Sequence, residues 1–288
     1  MVRRFFKWFA KFPGVLCVAA VEGRCLKLWG FACQGVLSMV TRMLFRTCWS
    51  SANLLFSRKS WKSGNFIFAR NEYGFYCIPF AASHRPAAVC VMAGHVWERK
   101  TVEFILQHCG GAEVVTAGAF FGDALPALSK VCKRIWAFEP NPENHRCAQI
   151  TVLLNDLRNV ALHQTGLGER CERRELVVKD HEGRSLGGAS QMADITDRGH
   201  EAVSIDLVTI DSVVDERSAV SIIHLDVEGF EEYALRGAQR TIERCRPLLI
   251  LETVPQGLDE HYRLDRQLDK QTYLLSPVSA EGTAVAPS

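Results

Sequence analysis

Five short runs of apolar residues in the middle of the chain constrain the fold more than any other feature of the sequence. Segments with helical spacing follow most of these runs. Strands that are apolar along their whole length, and that alternate with helices, are typical of a parallel sheet covered by helices on both faces. The sequence therefore predicts an α/β fold with a mostly parallel sheet, whose strands are Glu113–Ala117, Arg134–Phe138, Val160–Gln164, Ser221–Leu225 and Leu248–Leu251.

Turn and helix signals predict further elements around these strands. Asn141 can cap a helix that has Pro142 at its first position, and residues 230–244 place apolar side chains four apart on one face. The polar, glycine-rich stretch Glu169–Ala202 is long for a crossover and predicts a hairpin or a lid. Upstream of the sheet we expect one helix and three short strands, at Thr101–His108, Asn65–Ala69, Phe75–Pro79 and Ala87–Met92.

The composition is that of an ordinary globular protein. Of the 288 residues, 48% are apolar and 23% are charged, which excludes a disordered or collagen-like chain. The eleven cysteines are scattered and odd in number, with no CxxC pair and no cluster at zinc spacing. A core of this size needs no disulfide scaffold, and dispersed thiols are typical of a reducing compartment. We therefore expect a cytoplasmic protein.

Charge divides the chain into two unlike parts. Residues 1–70 carry twelve lysines and arginines but only one acid, whereas the rest of the chain has a net charge of −9. The longest uncharged run of this basic head, Leu28–Thr41, has 14 residues and is too short to span a membrane. Three interpretations of residues 1–56 stay open: a segment on the inner face of a membrane, a helix packed on the body, or an upstream extension if translation starts at Met39 or Met43.

A glycine-bearing turn follows the first of the five strands. Such a turn between a strand and a helix lets a ligand approach the backbone closely. Counted from Gly118, the second and third glycine positions of a dinucleotide fingerprint are occupied by Phe120 and Asp123, which disfavours a pyrophosphate. Glu139, at the end of the next strand, can accept hydrogen bonds from both hydroxyls of a ribose. Together these residues predict a site for a nucleoside without phosphate.

The fourth strand carries polar side chains at its carboxyl end, where open α/β sheets bind ligands. Alternation along the strand places His224, Asp226 and Glu228 on one side. A histidine beside carboxylates can accept a proton from a substrate. The alternative is structural, with His224 as a satisfied residue at the core edge and Glu228 as a carboxylate at a helix start. We favour a functional role for Asp226.

Four segments of the chain combine into a recognisable series. They are VVTAGAFFGDALPALS, IWAFEPNPENHRCAQITVLLNDLRNVALHQTGLG, IIHLDVEGFEEYALRGAQRTIE and PLLILE, between Val114 and Glu252. In this order they resemble the FkbM family of S-adenosylmethionine-dependent methyltransferases, and the combination of AFEPNP with LDVEG is specific. The resemblance implies a class I methyltransferase fold, which is Rossmann-like and has a mostly parallel sheet with helices on both faces, here with an N-terminal extension.

The resemblance also implies a set of residues that bind S-adenosylmethionine. Glu139 would hold the ribose, and Asp226 would lie where cofactor and substrate meet. The turn at the methionine part of the cofactor would consist of Thr116, Gly118, Gly122 and Asp123.

Three positions depart from the pattern of the family. Thr116 replaces an aspartate that would accept a hydrogen bond from the cofactor's ammonium group, a role that Asp123 could partly take over. Phe120 replaces an asparagine, and His224 stands where a lysine is frequent. In addition, the chain after Glu252 is short, so we expect the last two strands of the fold to be truncated.

The expected reaction is methylation of a hydroxyl on a sugar, a glycan or a related small molecule. Asp226 would take the proton from that hydroxyl, with His224 as a relay. No metal site is predicted, because Asp226 and Glu228 could share a cation but a third ligand is not evident. Nucleic acid is not an expected partner, since the acidic sheet half would repel phosphates. The oligomeric state is left open.

Two other functions stay open at this point. A catalytically degenerate methyltransferase fold that acts as a binding protein is favoured by Thr116, and a dinucleotide enzyme is disfavoured by Phe120 and Asp123. The predicted organisation is a basic extension, an N-terminal set of strands with a helix, a cofactor-binding domain and a C-terminal tail, at residues 1–60, 61–110, 111–262 and 263–288.

Overall fold

The computed structural model describes residues 60–192, 201–256, 258 and 261–278. The expectations for the basic head, residues 1–56, therefore fall outside the described residues. The strands are β1 (Ser60–Ser63), β2 (Phe66–Arg70), β3 (Phe75–Pro79), β4 (Glu113–Ala117), β5 (Arg134–Phe138), β6 (Val160–His163), β7 (Gly166–Leu167), β8 (Glu172–Lys179), β9 (Gln191–Met192), β10 (Glu201–Val208), β11 (Val220–Leu225), β12 (Leu248–Leu251), β13 (Tyr262–Asp269) and β14 (Thr272–Pro277).

The helices in the described part of the chain are short, with one exception of thirteen residues. They are α1 (Pro86–Met92), α2 (Arg99–His108), α3 (Leu125–Leu128), α4 (Pro142–Leu154), α5 (Ile210–Val213), α6 (Glu231–Arg236) and α7 (Gln239–Cys245). Asn141 caps α4 as predicted, because its side chain accepts hydrogen bonds from the backbone N–H groups of Glu143 and Asn144. No helix among the described residues has the length and apolar character needed to cross a lipid bilayer.

Seven strands form the largest sheet, in the order β13-β14-β12-β11-β4-β5-β6. All are parallel except β14, which runs antiparallel to both of its neighbours. The five predicted strands make up the parallel part, and β4, β5 and β12 have the predicted bounds. The predicted α/β fold with a mostly parallel sheet is thereby confirmed.

Alternating residues of these strands enter two separate cores on opposite faces of the sheet. Val115 and Ile223 belong to one core, which α5, α6 and α7 cover. Val114 and Ile222 belong to the other, which α2 and α3 cover. Because both faces are buried, every residue of β4 is buried, which explains why the strand reads as a continuous apolar run.

Two further strands follow Glu252, so the expectation that the last two strands of the sheet are truncated is wrong. Residues 263–277, which the sequence assigned to a tail, lie almost entirely in β13 and β14 and complete the sheet. These strands were missed because β13 lies at the sheet edge and most of its side chains are exposed, so it lacks the apolar character of the buried strands.

One strand prediction and one helix prediction also need correction. Residues 87–92 form α1 and not a strand; Ala88 and Val91, three apart, are its buried residues. A short apolar run cannot distinguish a strand from a buried helix, and Pro86 at the first position starts the helix. The predicted helix over 230–244 is two helices that break at Gly237, where an added Cβ would lie 2.1 Å from the carbonyl oxygen of Gly168.

The glycine-rich stretch forms a second sheet beside the first. Its order is β7-β10-β8-β9; the consecutive strands β8 and β9 pair antiparallel as the predicted hairpin, and β10 pairs antiparallel with the other side of β8. Residues 185–192 return from β8 across the carboxyl edge of the main sheet, where they include a short 3₁₀ turn at Gly187–Ala189. This return segment brings the hairpin to the candidate site.

Candidate functional site

The turn after β4 lies directly against the segment that follows β11. Gly118 has φ +79°, and a Cβ at this position would lie only 1.8 Å from the carbonyl oxygen of Asp226. Only glycine tolerates both the left-handed backbone and this contact. The backbone N–H groups of Gly118 and Ala119 both donate to the carbonyl oxygen of Phe138, so the carboxyl ends of β4, β5 and β11 are held together.

Thr116 and His224 are neighbours across β4 and β11. They stand opposite each other in the strand register, and Thr116 Oγ1 lies 3.2 Å from His224 Nδ1. Burial lowers the pKa of His224 to about 4, so the imidazole is neutral at neutral pH. Thr116 and His224, two of the three residues that depart from the family pattern, are therefore joined by a hydrogen bond between uncharged groups.

Glu139 is buried, with 4% of its surface exposed, and its carboxylate already has partners. One oxygen accepts from the backbone N–H of Phe120 at 2.7 Å, and the other accepts from the N–H of Asn141 at 2.9 Å and from Asn144 Nδ2 at 3.3 Å. Burial raises its pKa to about 8 in spite of these donors. The predicted ribose acceptor thus links the turn after β4 to the start of α4.

A cavity of about 250 Å³ opens at this edge of the sheet. Its walls come from the glycine turn, from the segment after β11 and from the start of α2. Among the predicted site residues it contacts Thr116, Gly118, Asp123, His224 and Asp226. Gly122 lines neither this cavity nor the smaller one below; its N–H donates to the carbonyl oxygen of Ala119 within the turn.

Carboxylates are the most numerous charged groups in the lining of this large cavity. Oxygen atoms of Asp226, Glu228 and Glu252 lie within 4.8 Å of one another, and we call these three residues the carboxylate cluster. Burial and the negative charge of Glu252 raise the pKa of Asp226 well above its usual range. Burial likewise raises the pKa of Asp123 to about 6 and that of Glu98 to about 7.

The sequence pointed to two members of the carboxylate cluster and missed the third. Glu252 directly follows β12, and the carboxyl ends of neighbouring parallel strands share one edge, so its position was a usable signal. Glu98 precedes α2 and carries no comparable signal. Three carboxylates at this spacing are able to hold a hard divalent cation, although exposed acidic groups of this kind are common without one.

A second, much smaller cavity of about 30 Å³ lies beside Glu139 and also touches Gly118 and Asp226. It has room for a water molecule or two but not for a nucleoside. The return segment limits it, since Asn144 Nδ2 donates to the carbonyl oxygen of Gly187 at 3.0 Å and Asn141 Nδ2 to Ser190 Oγ at 3.1 Å.

Comparison with known proteins places this geometry in context. A family model described as the methyltransferase FkbM domain matches residues 111–275. No curated protein matches the sequence.

Several solved structures are similar to this chain. The FkbM methyltransferase of Methylobacillus flagellatus is 23% identical over 58% of this chain and 43% of its own, with a TM-score of 0.40, so the match spans less than half of that protein. An rRNA methylase of Streptococcus thermophilus is 14% identical over 62% and 95% of the two chains, with a TM-score of 0.37. A putative methyltransferase of Streptococcus mutans, solved with SAH, is 11% identical over 62% and 94%, with a TM-score of 0.35.

The raised pKa of Asp226 has a consequence for stability. A carboxyl group whose pKa is higher in the folded than in the unfolded protein destabilises the fold as the pH rises above its unfolded value, near 4. We expect Asp226→Asn to raise the free energy of unfolding at pH 8, by on the order of 1–3 kcal/mol, and to raise it by less at pH 5, which lies closer to the unfolded pKa. Urea denaturation of both proteins at the two pH values measures this difference.

The control is Glu175→Gln, which removes an exposed carboxylate from β8. At pH 5 and at pH 8, this variant should have the same free energy of unfolding as the parent protein. If the difference in free energy of unfolding between Asp226→Asn and its parent is the same at pH 5 and pH 8, the proposed crowding of negative charge in the carboxylate cluster is contradicted.

Proposed function

Since the chain belongs to the FkbM methyltransferase family, we propose that it transfers a methyl group from S-adenosylmethionine to a hydroxyl group of a sugar, a glycan or a related small molecule. One observation carries the proposal. Gly118, Glu139 and Asp226 follow three neighbouring parallel strands and meet at one edge of the sheet, between the two cavities. A glycine turn and an acidic residue on the next strand are what a ribose-bearing ligand requires at such an edge.

The charge of the large cavity supports this cofactor. When bound, S-adenosylmethionine supplies a methyl group on a positively charged sulfonium. Carboxylates of the cavity lining attract a cation, and they outnumber the single arginine there, Arg85. The acids concerned are Glu98, Asp123, Asp226, Glu228 and Glu252. Asp123 and the carboxylate cluster thus supply negative charge that Thr116 does not.

The nucleoside end fits by chemistry but requires movement. Glu139 would hold the ribose, yet its carboxylate is bonded to the backbone and the cavity beside it is small. The return segment forms one wall of that cavity and is fastened through Asn144. We therefore propose that cofactor binding displaces Gly187 and its neighbours from Asn144.

Asp226 is the proposed base for the acceptor hydroxyl. Burial and the negative charge of Glu252 raise its pKa, and a carboxylate with a raised pKa is a stronger base than an ordinary one. Glu252 repels the negative charge of Asp226, so one proton is favoured on the pair. His224 is the proposed relay; because Nδ1 faces Thr116, the relay would use Nε2.

A binding protein without catalysis is the second candidate. It is favoured by Thr116, which is buried and whose hydroxyl group is hydrogen-bonded to His224, and by the small size of the cavity beside Glu139. A dinucleotide enzyme is the third. Binding experiments with the cofactor product separate these alternatives, as described below.

We further propose that the protein acts in the cytoplasm, that its acceptor is a small molecule or glycan and not a nucleic acid, and that residues 1–56 contact the inner membrane face. The cysteines in the described part of the chain are free thiols, which supports a reducing compartment. Flotation of the full chain with anionic liposomes, lost at high salt, is the expected result for the head. A chain that remains unbound at low salt contradicts the membrane contact.

Substitution of Asp226 tests the reaction. We expect the parent protein to bind S-adenosylhomocysteine in a calorimetric titration, and Asp226→Asn to slow a single turnover at saturating S-adenosylmethionine by about 10²–10³-fold. Transfer of a radiolabelled methyl group to sugars found in an acceptor screen measures the rate. Glu228→Gln removes the same charge from the carboxylate cluster and should slow the step less.

The outcomes separate the candidates. A parent protein that binds S-adenosylhomocysteine but methylates no acceptor supports the binding protein, and stabilisation by NAD alone supports the dinucleotide enzyme. Equal single-turnover rates for Asp226→Asn and its parent would show that Asp226 is not the base, while leaving the cofactor assignment intact.

Asn144→Ala tests the movement of the return segment. Loss of its hydrogen bond to Gly187 should ease opening of the small cavity, so S-adenosylhomocysteine should associate about 3–10-fold faster. Stopped-flow tryptophan fluorescence measures the rate. Asn159→Ala is the matched control, because the side-chain amide of Asn159 likewise donates two hydrogen bonds, to the backbone carbonyls of Ser129 and Cys132, but lies away from both cavities. Equal association rates for all three proteins contradict the proposed movement.

A further inference from the structure

Two cysteines that the proposed reaction does not use lie side by side at the opposite edge of the sheet. Cys109 follows α2, and Cys132 follows α3 in the segment that leads into β5. Their sulfur atoms are 3.2 Å apart, so the two thiols are hydrogen-bonded and are not joined by a disulfide. Both side chains come from chain segments that are anchored by helices and strands, which keeps the thiols together.

The surroundings of Cys109 favour its ionised form. The hydrogen bond with Cys132 lowers the pKa of Cys109 below that of an ordinary thiol. The same hydrogen bond raises the pKa of Cys132, which keeps its proton. A thiolate with a thiol in contact is the arrangement of a nucleophilic cysteine and its resolving partner.

The pair is buried but lies just below the surface. Cys109 is 1% and Cys132 5% exposed, whereas the flanking residues Gly110, Gly111 and Lys133 are exposed. The two glycines have positive φ, and a Cβ added to either would meet no other atom within 4 Å. A small oxidant therefore has only one thin layer of protein to cross.

We propose that Cys109 and Cys132 form a peroxide-sensitive dithiol that closes to an intramolecular disulfide. The Cys109 thiolate attacks one oxygen of hydrogen peroxide, the O–O bond breaks, and with one proton taken up a sulfenic acid and one water molecule are formed. The Cys132 sulfur then attacks the sulfenic sulfur, the S–O bond breaks, and the hydroxide leaves with the Cys132 proton as a second water. The two thiols are oxidised by two electrons and the peroxide is reduced.

The disulfide would constrain the part of the chain that forms the cofactor turn. The loop that it closes, residues 109–132, contains β4, the glycine turn and α3. It also fixes the end of α2, whose first turns line the large cavity through Glu98 and Thr101. Closing a loop of this length restricts the unfolded chain, so the oxidised protein should unfold about 5–10 °C higher than the reduced protein.

Other thiols of the same chain provide internal comparisons. Cys77 and Cys147 also interact with each other, but both are completely buried and the pKa of Cys147 is raised. Cys171 is exposed on the second sheet. If exposure alone governed oxidation, Cys171 would react before the Cys109–Cys132 pair.

The test is oxidation of the full-length reduced protein with a small molar excess of hydrogen peroxide, followed by denaturation, alkylation of free thiols and tryptic digestion. We expect peptide 101–130 to be joined to peptide 131–133, with a mass two hydrogens below the sum of the two and with reversal by dithiothreitol. The temperature of unfolding should rise in parallel. In Cys132→Ser, dimedone should trap Cys109 as a sulfenic acid, and Cys171→Ser should form the disulfide like the parent.

Results with the parent protein alone decide the proposal. If Cys171 is oxidised while Cys109 and Cys132 are both recovered as alkylated thiols, the proposal is wrong. It is also wrong if Cys109 couples to a cysteine other than Cys132, or if the linked peptides appear without any rise in the temperature of unfolding. None of these outcomes depends on cofactor binding, so they leave the proposed methyl transfer unaffected.

Discussion

The contact between Gly118 and the carbonyl oxygen of Asp226 is the constraint on which the candidate site depends. It exists because two parallel strands end at the same level and the chain turns sharply after the first of them. Asp226 N–H also donates to the carbonyl oxygen of Ala117, so the two strand ends are bonded in both the ladder and the turn. The side chains that follow β4 and β11 are therefore held close together at this edge of the sheet.

Convergence has a cost in free energy. Asp226 directly follows β11, Glu252 directly follows the parallel strand β12, and Glu228 lies two residues beyond Asp226. Negative charge is therefore crowded into a space that is partly shielded from water. Crowding of this kind destabilises the ligand-free protein and is relieved by a bound cation or by uptake of protons. Local destabilisation is common at functional sites, because ligand binding there stabilises groups that destabilise the ligand-free fold.

The sequence predicted the bounds of strands that are buried on both faces of the sheet. It did not predict contacts between residues that are far apart along the chain. The bounds of β4 and β12 follow from continuous apolar runs, whereas Ala87–Met92 was ambiguous because a six-residue apolar run suits either a helix or a strand. The Thr116–His224 bond depends on strand register, and the partners of Glu139 depend on how the turn after β4 meets α4; neither can be derived from spacing along the chain.

Phe120 in the turn after β4 packs against glycines of the return segment, so substitutions in these two segments depend on each other. Its backbone lies in the left-handed region at φ +47°, which suits asparagine or glycine better than a bulky side chain. The ring nevertheless has a place, because Gly187 and Gly188 leave room for it; a Cβ on either would come within about 3.1–3.3 Å of its atoms. At position 188 all the nearest atoms belong to this ring, so a relative with asparagine at position 120 is free to carry a larger residue at 188, and these two positions should change together across the family.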